Sequence, residues 1–282
     1  MSTMISFTND MTRMSKEEIK KVCPYAFAES PTNPDVSGKY IQANTETVID
    51  DLEKLGWYPV TAKQCRAKKG SKGIRSFHMV ALQNDDVKIL NPNGGTEAYV
   101  RIILQNSHDG FNSFKFMMGL YRFVCENGMV VSDAQFANFS ICHINYSFEE
   151  LRQIVAKIMC GIPVIINKIN TMNTILLTDT QKYEMAVESF KIRKGLNKED
   201  KINVSETLIN DLLTPVRKED VGNTLWNVFN VLQEKMIKGG FLAPSKNGKN
   251  RKQRPITSIK KDLDYNQKLW VIAERFMAEY KI

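Results

Sequence analysis

The densest run of chemically capable side chains in the sequence is Asn106-Ser107-His108-Asp109, closed by Gly110. A histidine next to a carboxylate can serve as a general base oriented by its neighbour, or as a metal ligand. The same residue types also build turns, since Asn, Ser and Asp bond nearby backbone and Gly tolerates positive φ. Adjacent side chains of an extended chain point to opposite faces, so His108 and Asp109 need not meet, and this favours the turn. Cys125, in Cys125-Glu126-Asn127-Gly128, becomes a nucleophile only with a base such as His108 or His143 beside it. A small buried thiol is the simpler state, with Asn127-Gly128 as a type I′ hairpin turn. His108, Asp109 and Cys125 are therefore the catalytic candidates, and nothing in the sequence brings them together.

Three histidines, and five scattered cysteines without a CxxC pair, lack the paired ligand spacing of a zinc site, so neither metal nor cofactor is expected. No Walker loop, GxGxxG, HExxH, GxSxG or kinase signature occurs, which disfavours a nucleotide hydrolase or a common hydrolase.

Charge carries more information. The 282 residues have a formal charge of +8, from 39 Lys and Arg against 31 Asp and Glu. Thirteen of the basic residues, and none of the acidic ones, fall in two segments, 61–75 and 243–261. The remainder holds 26 basic and 31 acidic residues, a net −5. Glycine-containing basic loops can grip phosphates without reading sequence. The residues that would do so are Lys63, Arg66, Lys68, Lys69, Lys72 and Arg75 in the first segment. In the second they are Lys246, Lys249, Arg251, Lys252 and Arg254. Trp57 and Tyr58, just before the first segment, are rings on which bases of a single strand could stack.

A third pattern is polar. Asn223, Asn227, Asn230 and Glu234 recur at 0, +4, +7 and +11 on a helix that is otherwise apolar nearly all round. They form either a solvent-facing edge or a polar seam buried against another element or a ligand. Asparagine is a poor choice for an exposed helix face, so the two readings stand level.

The elements that must position these groups follow from periodicity. Residues 1–45 are punctuated by Pro24, Pro31, Pro34 and Gly38 and read as an extended arm. A short helix from Ser15 interrupts the arm, with Glu18 at the capping-box spacing. Thr45 to Leu55 is a helix stopped by Gly56. Strands are expected at Trp57–Val60, Phe77–Leu82, Val87–Leu90, Tyr99–Gln105, Lys115–Val124, Met129–Val131 and Phe139–Tyr146, with Asn84-Asp85-Asp86 as a turn. After Tyr146 the period becomes helical. Ser147 caps the first of these helices with Glu150 at N3, and others span Thr178–Arg193, Val204–Leu213, Asp220–Lys238 and Asp262–Tyr280. Strands and helices are segregated, which indicates an α+β fold with an antiparallel sheet packed against C-terminal helices. One domain over 46–282 is expected, sheet-rich over 46–146 and helical over 147–282. Ile154–Ile169 is interrupted by Lys157, Pro163 and Lys168, so no membrane span is expected. The unpaired cysteines and the absence of a secretory leader point to a cytoplasmic setting.

The segment NSHDGFNSFKFMMGLYRFVCENGMVV (106–131) resembles the hallmark of the phage- and plasmid-borne family called domain of unknown function 932. That family pairs an Asn-Ser-His-Asp-Gly element with an Arg-x-x-Cys-x-Asn-Gly element, here Arg122 to Gly128. The segments LWNVFNVLQEKMIKGG (225–240) and ITSIKKDLDYNQKLWVIAE (256–274) are similar to its C-terminal part, and the resemblance covers about residues 45–280. It implies a mobile-element context and no established reaction. In outline the order of helix, Gly-Trp-Tyr, antiparallel sheet and helices is also similar to phage single-strand annealing recombinases, which form rings or filaments around DNA.

Together these features lead to the expectation of a DNA-binding protein of a phage or mobile element. It would bind single-stranded DNA in recombination or replication, without a cofactor, as a homo-oligomer in the cytoplasm of a bacterial host. Two other readings stay open: an enzyme built on His108, Asp109 and Cys125, and an assembly or host-interaction protein without catalysis.

Overall fold

The computed structural model describes residues 13–33, 36, 42–65, 76–90, 96–110, 112, 114–122, 127–130, 139–141, 146–245 and 249–280. The fold is α+β. The described helices are α1 (Lys16–Val22), α2 (Thr45–Lys54), α3 (Phe148–Thr174), α4 (Asp179–Lys194), α5 (Glu206–Leu213), α6 (Leu225–Lys238) and α7 (Ile259–Tyr280). The main sheet runs in the order β1 (Tyr58–Gln64), β2 (His78–Leu90), β3 (Thr96–Asn106), β4 (Phe114–Arg122) and β5 (Asn127–Val130), with β6 (Phe139–Ile141) also paired to β4. A separate two-stranded ribbon joins β7 (Leu242–Pro244) to β8 (Asn250–Lys252).

The chain divides into two compact units. The first comprises Met1–Asn84, Ile102–Phe116 and Ser140–Leu151; the second comprises Asp85–Arg101, Met117–Phe139 and Arg152–Ile282. In the first, α1 and α2 pack on β1 around Ile19, Val48, Ile49, Leu52 and Trp57. The Ser15–Glu18 capping box forms at α1 as its spacing implies. Residues 13–33, inside the segment expected as an arm, are packed: Ile19, Cys23 and Ala26 are fully buried, and the Met14 amide bonds the Pro59 carbonyl at 2.8 Å. Burial pushes the Cys23 thiol up to about 12, against a smaller opposing effect from the Ala26 amide.

In the second unit α4, α5, α6 and α7 pack together. Phe229 lies between Trp226 (stacked, 5.7 Å) and Trp270 (edge-on, 5.8 Å). One expectation fails in an instructive way. Asn84-Asp85-Asp86 is not a turn, since β2 runs unbroken through it with both aspartates exposed. Ladder bonding to neighbouring strands overrides the local turn chemistry. The 27-residue α3 continues past Pro163 to Thr174, because a buried stripe of Ile154, Ile158, Ile162, Ile165 and Ile169 spans both sides of the proline. Among the described residues α3 is the one helix long and apolar enough to cross a membrane by length and composition, with 39% of that window buried.

Candidate functional site

The Asn-Ser-His-Asp-Gly segment leaves the end of β3 and closes a hydrogen-bonded knot inside the first unit. Asn106 Nδ2 donates to Thr45 Oγ1 (2.9 Å) and to the Ala43 carbonyl (3.1 Å). Thr45 Oγ1 lies 2.8 Å from His78 Nε2 and 3.3 Å from His108 Nε2. His78 Nδ1 sits 2.6 Å from the Ser76 carbonyl, which can only accept, so Nδ1 carries the proton and Nε2 accepts from the threonine hydroxyl. The threonine oxygen then accepts from Asn106, and His108 must offer Nε2–H to it. The Ser76 carbonyl thereby fixes the tautomer of His78, and the shared hydroxyl that of His108.

Asp109 does not orient His108 through that contact. Its Oδ1 accepts from Ser107 Oγ (2.6 Å) and its Oδ2 from the Ser76 amide (3.1 Å). The His108 amide donates to Ser76 Oγ (2.7 Å), and the Thr32 amide donates to the His108 carbonyl (2.7 Å). Gly110 turns the chain at φ +75°, where an added Cβ would also meet Val36 at 3.0 Å. Thr45, Ser76, His78, Asn106, Ser107 and His108 are all fully buried, so the knot has no open face for a substrate. Burial pushes His78 down to about 4, partly offset by the Ser76 carbonyl and by Asp109. The segment is a turn that ties β3 to α2, to the start of β2 and to Thr32. His78 and Thr45, which complete it, carry no local sequence signal. Among the described residues no group of three or more His, Cys, Asp or Glu is placed to hold a metal ion.

The second hallmark element divides between described and undescribed positions. Arg122 ends β4 nearly buried, donating Nε to Glu97 (2.9 Å) and Nη1 to Asp220 (2.8 Å), while Trp226 Nε1 also donates to Glu97 (3.0 Å). Asn127-Gly128 is not a turn: both lie in β5, opposite Arg122 and Tyr121. Cys125 lies outside the described residues.

The polar stripe of α6 splits. Asn223 precedes the Thr224 cap and so lies outside the helix expected to carry it; it is exposed and accepts from Lys182 Nζ (3.2 Å), while Asn227 is half-buried beside that cap. Asn230 and Glu234 are buried; Asn230 donates to the Trp226 carbonyl (2.7 Å) and Glu234 pairs with Arg217 (2.9 Å) and Lys238 (3.4 Å). The cross-helix bond of this seam comes from a residue outside the stripe: Gln233 Nε2 donates to Asn266 Oδ1 of α7 at 2.7 Å, both side chains buried. The seam is helix-to-helix packing inside the second unit.

The predicted phosphate-binding residues are distributed unequally. Trp57 is a core residue at 1% exposure and cannot present its ring to a base. Tyr58 is half-buried with the Arg13 guanidinium 3.6 Å from its ring centroid. Lys63 is exposed on β1. Arg66, Lys68, Lys69, Lys72, Arg75 and Lys246 lie outside the described residues.

The second basic segment forms the β7–β8 ribbon. Leu242 faces Lys252, Ala243 faces Arg251 and Pro244 faces Asn250, and Lys249, Arg251, Lys252 and Arg254 are all exposed. Among the described residues no carboxylate pairs with any of these four. The base of the ribbon is anchored. The Gly240 amide bonds the Gln253 carbonyl (2.9 Å), the Gln253 amide bonds Phe241 (2.8 Å), and Phe241 packs edge-on to Phe190 of α4. Lys194 Nζ donates to the Pro244 carbonyl (3.0 Å), and the Arg193 guanidinium donates to the carbonyls of Met236 and Arg254. Burial lowers Arg193, and burial plus the charge of Arg193 lowers Lys194. The last turn of α4 thus adds cations at the ribbon's foot.

The described family model "Domain of unknown function (DUF932)" matches residues 34–270. Two proteins of Escherichia coli (strain K12) are similar along nearly the whole chain. "UPF0380 protein YafZ" is 28% identical and "UPF0380 protein YfjQ" 27% identical, each over 266 residues, or 94% of this chain and 92% of the relative. No solved structure matches. The buried Asn-Ser-His-Asp-Gly knot and the Arg122 anchor belong to the matched region, and the chain is a member of the DUF932 family.

Proposed function

We propose that this chain is a nucleic-acid-binding protein that grips the sugar–phosphate backbone of DNA, single-stranded DNA foremost, through the β7–β8 ribbon. The biological setting would be recombination or replication of a mobile element. The observation that carries this reading is the set of four exposed cations, Lys249, Arg251, Lys252 and Arg254, without carboxylate partners among the described residues, on a ribbon whose carbonyls accept from the Arg193 and Lys194 side chains of α4. A cation already paired to a carboxylate has little to offer a phosphate, whereas unpaired cations on a braced strand pair keep theirs. Lys191, Arg193 and Lys194 extend the positive surface at the ribbon's foot.

Fluorescence anisotropy with a labelled single strand across a salt series tests this. Four phosphate contacts give a logarithmic salt slope of about −3, an affinity loss of about 50-fold between 50 and 200 mM salt. Charge reversal at Arg251 and Lys252, both exposed, should weaken binding at least about tenfold at low salt. Affinity that is flat with salt, or a doubly reversed variant that binds like the parent, would overturn the ribbon reading.

A further inference from the structure

An apolar cleft of about 500 Å³ lies between α4 and α7 in the second unit. Ile192 and Leu196 line it from the α4 side, Val271 and Ile272 from α7. Val271 is 52% exposed and Leu196 36%. Single exposed aliphatics need no explanation, but several sharing one concavity in the size range of ligand sites mark a binding surface.

The charges around the cleft are arranged unevenly. Glu188 is held by Arg275 (2.5 Å), which also pairs with Glu279, and Asp264 is held by Lys268 (2.8 Å). Lys191, in the last turn of α4, and Lys198, in the turn beyond it, have no carboxylate partner among the described residues; Lys191 Nζ donates to the Lys198 carbonyl at 2.5 Å. That end of the helix is also the one that braces the basic ribbon. Lys194, one turn beyond Lys191, bonds the Pro244 carbonyl, and Arg193 bonds the Arg254 carbonyl. Tyr265 Oη ties α7 to the same turn through the Arg193 carbonyl (3.4 Å). Cleft and ribbon therefore share one helical turn and a surplus of positive charge.

We infer that the α4–α7 cleft receives unpaired nucleobases of a single strand whose phosphates lie on the ribbon. This rests on the ribbon reading and deepens it. A base has flat, weakly polar faces suited to Ile192, Leu196 and Val271. Its edge carries donors that Gln267 Oε1 in the lining can meet, the Gln267 Nε2 being bonded to Met117 Sδ (3.6 Å). A duplex keeps its bases paired and stacked and has none to offer. Of the two rings expected to stack them, Trp57 is inside the core and the face of Tyr58 is covered by the Arg13 guanidinium, so the bases need a receiving surface elsewhere.

The test compares three probes of equal length on the full chain by anisotropy: oligothymidylate, an abasic strand with the same phosphates, and a duplex. Oligothymidylate should bind at least about tenfold more tightly than the abasic strand, the difference base contacts provide. Val271→Asn, neutral and at an exposed position, should remove most of that difference while leaving abasic binding unchanged. Equal binding of the thymidylate and abasic strands overturns this inference and leaves the ribbon standing. A base-dependent difference that survives in Val271→Asn overturns the cleft assignment, leaving the cleft to another occupant. Failure of every probe to bind at low salt overturns the ribbon and the cleft together.

Discussion

The rings of His78 and His108 stand 5.1 Å apart, tilted by 43°, with both Nε2 atoms turned to the hydroxyl of Thr45. Burial keeps His78 neutral, and the hydroxyl then donates to His78 Nε2 and accepts from His108 Nε2–H. The consequences are measurable.

Stability should fall with acid. Burial places His78 at about 4 in the folded chain against 6.5 when exposed. Between those values the unfolded chain binds a proton that the folded one refuses, so stability drops as pH falls from 6.5 toward 4 and is fully present above 6.5. The loss attributable to His78 between pH 7 and pH 5 is about 2 kcal/mol. Denaturant midpoints at the two pH values measure it, and His78→Gln should flatten the slope in that window. An unchanged slope in the variant would show that His78 does not govern it.

Removing the shared hydroxyl should be costly. Thr45→Val keeps the shape but leaves the Asn106 amide, His78 Nε2 and His108 Nε2 without their common partner. A loss of about 2–4 kcal/mol is expected, with Thr45→Ser far milder because the hydroxyl survives. Equal losses in the two variants would assign the effect to packing instead of the hydroxyl.

Arg122 should be intolerant of replacement. Its guanidinium serves Glu97 and Asp220 at once, with Asp220 2% exposed. Arg122→Met leaves the buried Asp220 and the part-buried Glu97 without their shared cation, for a loss of about 3–5 kcal/mol. Arg122→Lys should recover little, since a single ammonium lacks the fork that reaches both. Thermal unfolding followed by tryptophan fluorescence reads this directly, because Trp226 Nε1 shares the Glu97 oxygen.

The two glycines at the ribbon's foot should behave differently. Gly239 adopts φ +70° and a Cβ there would stand 2.5 Å from the Gln253 carbonyl, whereas Gly240, at φ +90°, has nothing within 4 Å. Gly240→Ala should cost about 1–2 kcal/mol of backbone strain. Gly239→Ala should cost more, displace the Gln253–Arg254 segment that follows β8 and weaken DNA binding. Matching stabilities and affinities in the two variants would contradict the close approach.

Much of the architecture is legible locally. The Ser15–Glu18 capping box, the Ser147 cap on α3, the stop at Gly56 and the segregation of strands from helices are all written within a few residues of where they act. So is the confinement of positive charge to two acid-free segments. Family membership is carried by short motifs such as Asn106–Gly110, which are visible in one dimension. The tertiary structure decided what those motifs do. Thr45 meets His108 across 63 residues and Arg122 meets Asp220 across 98, distances at which no periodicity or cap signal operates. Burial decided the rest. Trp57 went into the core rather than to a base, Asn84–Asp86 became strand because its neighbours supply ladder bonds, and Gln233, not the asparagine stripe, bridged α6 to α7. Local chemistry proposes the turn, the stripe or the stacking ring. Which of its faces is withdrawn from water depends on partners the sequence leaves far away.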